Sequence, residues 1–512
     1  MPKDRVVVVG AGIAGLVSAF ALAARGLDVT VIERRDAPGG KMRQIAIGPA
    51  QIDGGPTVFT MRWVFDELFA AAGRNFSDHV GLLPLETLAR HAWDEDSRLD
   101  LFADEERTVD AIGGFAGAAD ADGYRAFCRD TKRIYEILEK PFLRAPQASM
   151  AGLISAGGWR GLMRLPQIKP FSSMWSALGQ YFRDPRLQQL FGRYATYCGS
   201  SPYLAPATLM LVAHVERSGV WSIEGGMHAV ASALAEGAKS FGATIRYGHE
   251  VSEILIDCGR ACGARLANGE RIEAGAVIVN ADVAAVASGL FGVDARRGAA
   301  VTSPRARSLS AVTWSAVART NGFPLSLHNV FFSRYYHAEF DDIFRRDAPP
   351  KEPTVYICAQ DRCGAEPRRD GDERLLVLVN APANGDRHSY DAAEVERCAQ
   401  RTFRTLERCG LHIQRQPETT QVTTPEDFNK MFPATGGALY GRSSHGWTAS
   451  FQRPGARTKI PGLYLAGGST HPGPGVPMAA LAGRSAASSL LADLTSRGWS
   501  TPTAMRGGTS TR

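Results

Sequence analysis

The sequence predicts an α/β fold in which a parallel-sheet domain is assembled from both ends of the chain, with an α+β domain and a helical lid or membrane-facing segment inserted between them. Three observations predict it. Valine-rich Arg5 to Val9 runs into Gly10-Ala11-Gly12-Ile13-Ala14-Gly15, and an apolar helical pattern follows from Ile13 to about Arg25. A second apolar run, Asp28 to Ile32, is closed by Glu33, an acid roughly 20 residues beyond the glycines. At the far end, Ile460-Pro461-Gly462-Leu463-Tyr464-Leu465-Ala466-Gly467-Gly468 reads as a turn, a short buried strand and a glycine pair, and Val476 to about Leu491 is again helical.

The N-terminal elements form one functional unit. Gly10 permits the tight strand-to-helix turn, Gly12 lets the backbone approach a pyrophosphate, and Gly15 lets the helix pack closely on the sheet. A pyrophosphate then sits on the unpaired amides at the helix N-terminus, where the dipole favours negative charge. Glu33, ending the next strand, accepts from ribose hydroxyls, which makes the unit Rossmann-like. The C-terminal strand, glycine pair and helix bring a second set of backbone amides to the same ligand. A nicotinamide has no use for that second platform. A flavin does, because its ring and ribityl chain extend beyond the adenylate.

Between the ends, Ile223-Glu224-Gly225-Gly226-Met227 precedes a helix to about Phe241, followed by β-branched runs at Ala243 to Tyr247, Val251 to Ile256 and Ala276 to Asp282. These runs predict a crossover back into the nucleotide-binding sheet. The nucleotide-binding domain is therefore discontinuous, at about residues 1–75, 215–290 and 455–495. Residues 76–214 and 291–454, with strand candidates Ser310 to Arg319, Thr354 to Ala359 and Arg374 to Asn380, form the substrate domain. Residues 496–512, rich in Ser, Thr, Gly and Arg, read as a disordered tail. Asn280 and Asp282 are of the residue types that cap the following helix.

The 512 residues allow a large core and several structural units. The eight cysteines, Cys128, Cys198, Cys258, Cys262, Cys358, Cys363, Cys398 and Cys409, lack zinc-site spacing, so reduced thiols and no metal are expected. Residues 1–9 lack the apolar core of a secretory signal, and no stretch reaches about 18 consecutive apolar residues. An intracellular protein, soluble or attached to a membrane from one side, is the expectation. A net charge of +6, not gathered into a stripe, gives no reason to expect nucleic acid. The basic apolar segment at 140–180 stands out: from Lys140 to Lys169 it holds Arg144, Arg160 and Arg164 and no acid. It reads equally as a surface for an anionic bilayer and as a lid with a solvated basic rim.

After Glu33 come Arg34-Arg35-Asp36-Ala37-Pro38-Gly39-Gly40-Lys41, and further on Asp53-Gly54-Gly55-Pro56-Thr57. With Gly10 to Gly15 before them and Gly467-Gly468-Ser469-Thr470-His471-Pro472-Gly473-Pro474-Gly475-Val476-Pro477-Met478 at the far end, the whole chain resembles the bacterial carotenoid desaturase family of FAD-dependent flavoproteins. The C-terminal wording is most similar to that of the 1-hydroxycarotenoid 3,4-desaturases. Many flavoproteins carry an Asp after the C-terminal glycine, where this chain has Ser469, a departure that the resembled family shares. The resemblance implies that FAD is lined by Gly10, Ala11, Gly12, Ala14, Gly15, Glu33, Arg34, Gly40, Lys41, Gly55, Pro56, Thr57, Val251, Gly467, Gly468, Val476, Pro477 and Met478. It implies a carotenoid substrate and a place on the cytoplasmic face of the inner or photosynthetic membrane. No second GxGxxG follows a strand, so no NAD(P) site is expected; a membrane quinone or oxygen is the expected electron acceptor.

The sequence shows no Ser-His-Asp, Cys-His or paired-carboxylate constellation, so the cofactor is expected to carry the hard step and the protein to supply a dry tunnel. For a C3–C4 bond beside a polyene, hydride loss from C4 leaves a delocalised cation, and the C3 proton then leaves to a weak base. His471 is either a catalytic group near the flavin or a structural histidine fixing the Pro-Gly turns. His214 and His228 read as satisfied core residues. The aromatic residues Trp175, Tyr181, Phe182, Phe191, Tyr194, Tyr197 and Tyr203 line a tunnel or are ordinary helix packing. Competing readings are a phytoene desaturase, an FAD-dependent carotenoid isomerase, a soluble amine oxidase and a non-catalytic prenyl-lipid carrier.

Overall fold

The computed structural model describes residues 5–147, 165–362 and 371–496. The 148–164 part of the basic apolar segment, Cys363 and the tail after 496 lie outside the described residues.

Five parallel strands form the first sheet, in the order Leu463–Leu465, Ala276–Val279, β1 (Arg5–Val9), β2 (Asp28–Ile32) and Thr244–Arg246. Three distant stretches of chain thus meet in one sheet, aligned by Val6 opposite Ala276 on one side and Val29 on the other. β1 is a valine run because both of its faces are covered: Val6, Val7 and Val8 are buried. Helix α1 (Ile13–Ala23) buries every residue except Ala21. Its neighbours are the helices His228–Ser240 and Val476–Thr495, brought close by small residues. A Cβ on Gly483 would lie 2.3 Å from the Ala14 carbonyl oxygen, and Ser18 donates a 2.9 Å hydrogen bond to the Gly483 carbonyl.

The run beginning at Val251 departs from its expected place. Val251–Asp257 pairs with Arg260–Leu266 and then Arg271–Glu273 in a separate antiparallel sheet, apart from the parallel one. The close spacing of the first two strands around Gly259, at φ 76°, makes a hairpin, which a parallel crossover cannot be.

The second domain is built on an eight-stranded mixed sheet that includes Ser310–Gly322, Val355–Ala359 and Glu373–Ala381, the three strand candidates each displaced by at most a few residues. It also recruits Thr87–Ala92 and Arg98–Phe102 from the earlier block. One face is a core of Trp314, Val355, Ile357, Leu375, Val377 and Val379 under the helix Ala392–Arg408. The alternate residues Tyr356, Leu376, Leu378 and Asn380 face a cavity instead. Helices Glu105–Ala116 and Ala118–Leu138 pack with the chain from 174 to 217 around a second core containing Phe127, Phe182 and Phe191. Among the described residues, no helix is long and apolar enough to cross a membrane.

Candidate functional site

The glycine turn is tight enough to exclude any side chain. Gly10 has φ 96°, and a Cβ on Gly15 would lie 2.1 Å from the Gly10 carbonyl oxygen. Asn280, expected to cap the following helix, points the other way: its Oδ1 accepts from the Gly15 amide. Only Asp282 caps, accepting from Ala284 N–H at 3.0 Å. Asn280 follows the strand beside β1, and parallel register carries its side chain over the glycine turn, so strand pairing overrides its local capping preference. The two Glu33 oxygens accept backbone N–H groups, Ala11 at 2.7 Å and Arg35 at 2.9 Å. The carboxylate therefore spans the turn and the loop after β2 and keeps lone pairs for ribose hydroxyls. The first amides of α1 have no acceptor within the helix, which leaves an anion site beside Ala11, Gly12 and Ala14. The Gly39–Gly40 turn covers it: Gly39 donates to the Ala11 carbonyl at 2.8 Å, and a Cβ on Gly40 would lie 3.2 Å from Gly12 Cα.

Gly55 sits where a Cβ would lie 1.8 Å from the Lys41 carbonyl oxygen. With Pro56 and Thr57 it forms one wall of a cavity of about 300 Å³, and Val476, Pro477 and Met478 at the start of the C-terminal helix form another. Gly467, at φ 141°, and Gly468 lead into this helix. Gly468 is held by Arg453, a buried residue that motif reading missed. Arg453 donates to the carbonyls of Gly468 at 3.2 Å, Tyr440 at 3.1 Å and Arg442 at 2.5 Å, and it lines the cavity. Burial lowers its pKa to about 10. Lys41 donates to the Leu439 carbonyl at 2.6 Å; burial lowers its pKa and Asp282 opposes that. Arg453, a buried cation on that wall, suits a ligand with developing negative charge, whereas Lys41 stands behind the lining. Arg34 reaches the last carbonyls of the helix Pro425–Met431 rather than the cavity, and Val251 packs among Val9 and Ile32 behind the sheet.

His471 is buried and stands outside the cavity lining. Its Nε2 bonds the Phe142 carbonyl at 2.8 Å and its ring meets the Phe142 ring edge-on. Burial lowers its pKa, so the neutral ring donates from Nε2. Phe142 and Leu143 line the cavity, and His471 thus ties the start of the basic apolar segment to the Pro-Gly turns. Of the aromatic residues singled out from the sequence, Tyr197 lines the cavity; Phe182, Phe191 and Tyr194 belong to the adjoining core. Two cations of the basic apolar segment are engaged by the protein: Arg144 pairs with Glu67 at 3.0 Å, and Lys169 donates to Tyr181 at 2.6 Å. His228 is satisfied by the Pro38 carbonyl at 3.0 Å. No group of three or more metal-ligating side chains occurs among the described residues.

The cavity's remaining lining is mostly apolar, with Leu209, Leu211, Val212, Val215, Leu376 and Leu378. Its polar groups are largely paired with one another. Thr57 and Tyr356 hydroxyls lie 2.6 Å apart, and Tyr356 also reaches His328 at 2.8 Å. Glu216 accepts from Tyr194 at 2.6 Å and Tyr197 at 3.1 Å, and Arg193 donates to Tyr197 at 3.2 Å.

The sequence profile of the flavin-containing amine oxidoreductases matches residues 13–491. Hydroxyneurosporene desaturase of Rubrivivax gelatinosus is 55% identical over 99% of this chain and 97% of its own. The enzyme of the same name from Cereibacter sphaeroides is 44% identical over 96% and 98%. An oxidoreductase structure from Methanosarcina mazei, 17% identical, superposes with a TM-score of 0.57 over 94% of this chain and 99% of that one, which shows the fold. The turn that only glycine fits, the free amides of α1 and the Glu33 carboxylate accommodate the pyrophosphate and ribose of FAD, the cofactor of this family. The chain belongs to the flavin-containing amine oxidoreductases and, among them, to the bacterial FAD-dependent carotenoid desaturases.

Proposed function

We propose that this protein desaturates an acyclic carotenoid bearing a hydroxyl or methoxy group at C1, at its C3–C4 bond. The observation that carries the reading is one cavity walled by Gly55 to Thr57 and the start of the C-terminal helix, Val476 to Met478, on one side and by apolar side chains of the second domain, such as Leu209, Leu376 and Leu378, on the other. The likeness to hydroxyneurosporene desaturases and the C-terminal His471-Pro472-Gly473 wording support the choice of substrate.

When bound, FAD supplies the two-electron acceptor for a CH–CH oxidation. Gly10, Gly12, Gly15 and Glu33 would hold its adenylate half, and Gly55 to Thr57 with Gly467, Gly468 and Val476 to Met478 the remainder. Arg453 raises the positive potential at that wall, and Leu209, Leu211, Val212 and Val215 exclude water from a polyene. A substrate cation delocalised over the polyene loses its C3 proton readily, so a weak base suffices. The substrate is taken up from the membrane surface with the protein on its cytoplasmic side, and a quinone or oxygen receives the electrons.

Purified protein reconstituted with FAD in liposomes and offered 1-hydroxyneurosporene or phytoene tests this through the mass and absorption spectrum of the product. Loss of two hydrogens with a red shift from the hydroxylated substrate alone is expected. Turnover of phytoene alone overturns the substrate assignment; a product of unchanged mass identifies an isomerase, and no product with tight binding a carrier.

A further inference from the structure

One carboxyl in the cavity wall is left over after the pairings above. Glu339 lies in the first turn of the helix Tyr336–Phe344, is 2% exposed and lines the cavity. Its Oε2 has a structural duty, accepting from the Thr354 amide at 3.1 Å and hydroxyl at 2.6 Å. Its Oε1 has no hydrogen-bond partner of ordinary geometry. The Asn380 side chain, also in the cavity wall, lies beside the carboxyl and helps hold its pKa down. Beyond the Asn380 side chain this buried oxygen keeps acceptor capacity that nothing in the wall uses, and leaving such capacity unmet is costly. A ligand oxygen would satisfy it.

The position suits one particular oxygen. Val355 pairs with Val379, which places Thr354 next to Asn380. Tyr356, two residues along the same face from Thr354, carries the contact to Thr57 of the nucleotide platform. At about 3.3 Å per residue Thr354 and Tyr356 are roughly 7 Å apart along the strand, so the Glu339 group and the platform contact are anchored on successive cavity-facing positions of one strand. In a 1-hydroxycarotenoid the oxygen is separated from the C3–C4 bond by two carbons, so its partner must stand this close to where that bond reacts. The Tyr194–Glu216–Tyr197–Arg193 chain is another polar group in the wall, with both carboxylate oxygens already accepting hydrogen bonds; the Tyr336 hydroxyl, also without a partner, lies one turn before Glu339 on the same helix and adds a donor beside it.

We propose that Glu339, with Asn380 beside it, binds the C1 oxygen of the carotenoid, sets the C3–C4 bond in register with the platform and selects hydroxylated over unsubstituted acyclic chains. This rests on the desaturase reading and names the group that reads its substrate. Burial pushes the Glu339 carboxyl up to about 7, with Arg193, Tyr203, Tyr336, Thr354 and Asn380 as the charged and polar groups around it. A hydroxyl can donate to the carboxylate or accept from the acid. A methoxy oxygen only accepts, so it is bound by the acid form alone.

The test compares the FAD-loaded enzyme with Glu339→Leu and Glu339→Gln on 1-hydroxyneurosporene, its 1-methoxy ether and neurosporene, which lacks the oxygen. Glu339→Leu should lose roughly 10- to 100-fold in kcat/KM on the hydroxylated chain, mainly through KM, and less than about 3-fold on neurosporene. Glu339→Gln, which can donate and accept, should keep the hydroxylated activity within about 5-fold. In the unaltered enzyme KM for the methoxy ether should rise above about pH 7 and should not do so in Glu339→Gln. Equal losses on hydroxylated and plain chains, the signature of a proton acceptor or a folding role, overturn the proposal. If Glu339→Leu fails to hold FAD, the methoxy pH profile decides: a profile unchanged in Glu339→Gln overturns it. Should the unaltered enzyme turn over all three substrates, with both variants affecting them in parallel, the desaturase reading stands and only the Glu339 assignment falls. Turnover of none overturns both.

Discussion

Single atoms decide whether the nucleotide platform exists. A methyl group on Gly15 would have to occupy space 2.1 Å from the Gly10 carbonyl and 2.9 Å from Asn280 Oδ1. Neither neighbour can give way: Gly10 O is backbone at the turn, and Asn280 is fixed by its bond to the Gly15 amide. Gly15→Ala should therefore open the turn and weaken FAD binding by more than about 100-fold, while the second-domain core stays folded. Flavin absorbance that no longer co-purifies with a protein of normal far-ultraviolet circular dichroism checks it; a variant that retains flavin at full stoichiometry removes the steric argument. The glycines and Glu33 were legible in the sequence because their chemistry is local to one strand–turn–helix unit. Asn280, Arg453 and Glu339 were not, because each acts on residues far away in sequence, and their immediate neighbours carry no motif.

Helix packing extends the same constraint to whole elements. Helix α1 is held between two helices by contacts that admit no side chain: Gly483 against the Ala14 carbonyl and Gly237 against the Phe20 ring. A Cβ on Gly483 meets backbone rather than the end of a flexible side chain, so relief requires α1 and the Val476–Thr495 helix to separate. Gly483→Ala should cost about 1–3 kcal/mol, seen as a lowered thermal midpoint, and should weaken FAD binding as well because each helix begins at one platform. A midpoint within error of the unaltered protein would show that the crossing is looser than this geometry. Strands that are β-branched runs were readable, and so were the helices that follow a glycine pair. The strands Thr87–Ala92 and Arg98–Phe102 were not, since their residues belong equally to helices and only tertiary pairing with His328–Phe331 makes them part of the sheet. The Val251 run was assigned to the wrong sheet for a related reason: a β-branched run reports a strand but not its partner.

Across the whole molecule, the cavity's neighbourhood collects buried titratable groups of opposite sign, and their competition sets the response to acid. His91 and His328 are buried, and burial followed by Arg193 lowers both to about 3. His214 and His445 are lowered to about 4, again mainly by burial. A histidine whose folded pKa is depressed stays neutral while its unfolded counterpart takes a proton below about 6.5, so the stability it contributes is present above that pH and is lost as pH falls. Glu339, raised to about 7 by burial, has the reverse sign: it binds a proton in the folded state first, and the folded state gains as pH falls from about 7 to the ordinary carboxyl value. Burial also raises Glu216 and Asp53. Between about pH 6.5 and 4.5 the two sets oppose each other, and below about 4.5 the carboxyls have finished titrating while the histidines have not. The two buried histidines alone then remove about 1.4 kcal/mol per pH unit each, against a net stability of about 5–15 kcal/mol. The thermal midpoint should therefore fall more gently from about pH 6.5 to 4.5 than below it. His328→Gln should make the fall shallower, and Glu339→Gln, which removes the opposing carboxyl, should start it nearer pH 6.5. Thermal melts of the three proteins across that range check the balance. Parallel curves would mean that these buried groups do not govern acid unfolding and that the surface ion pairs do.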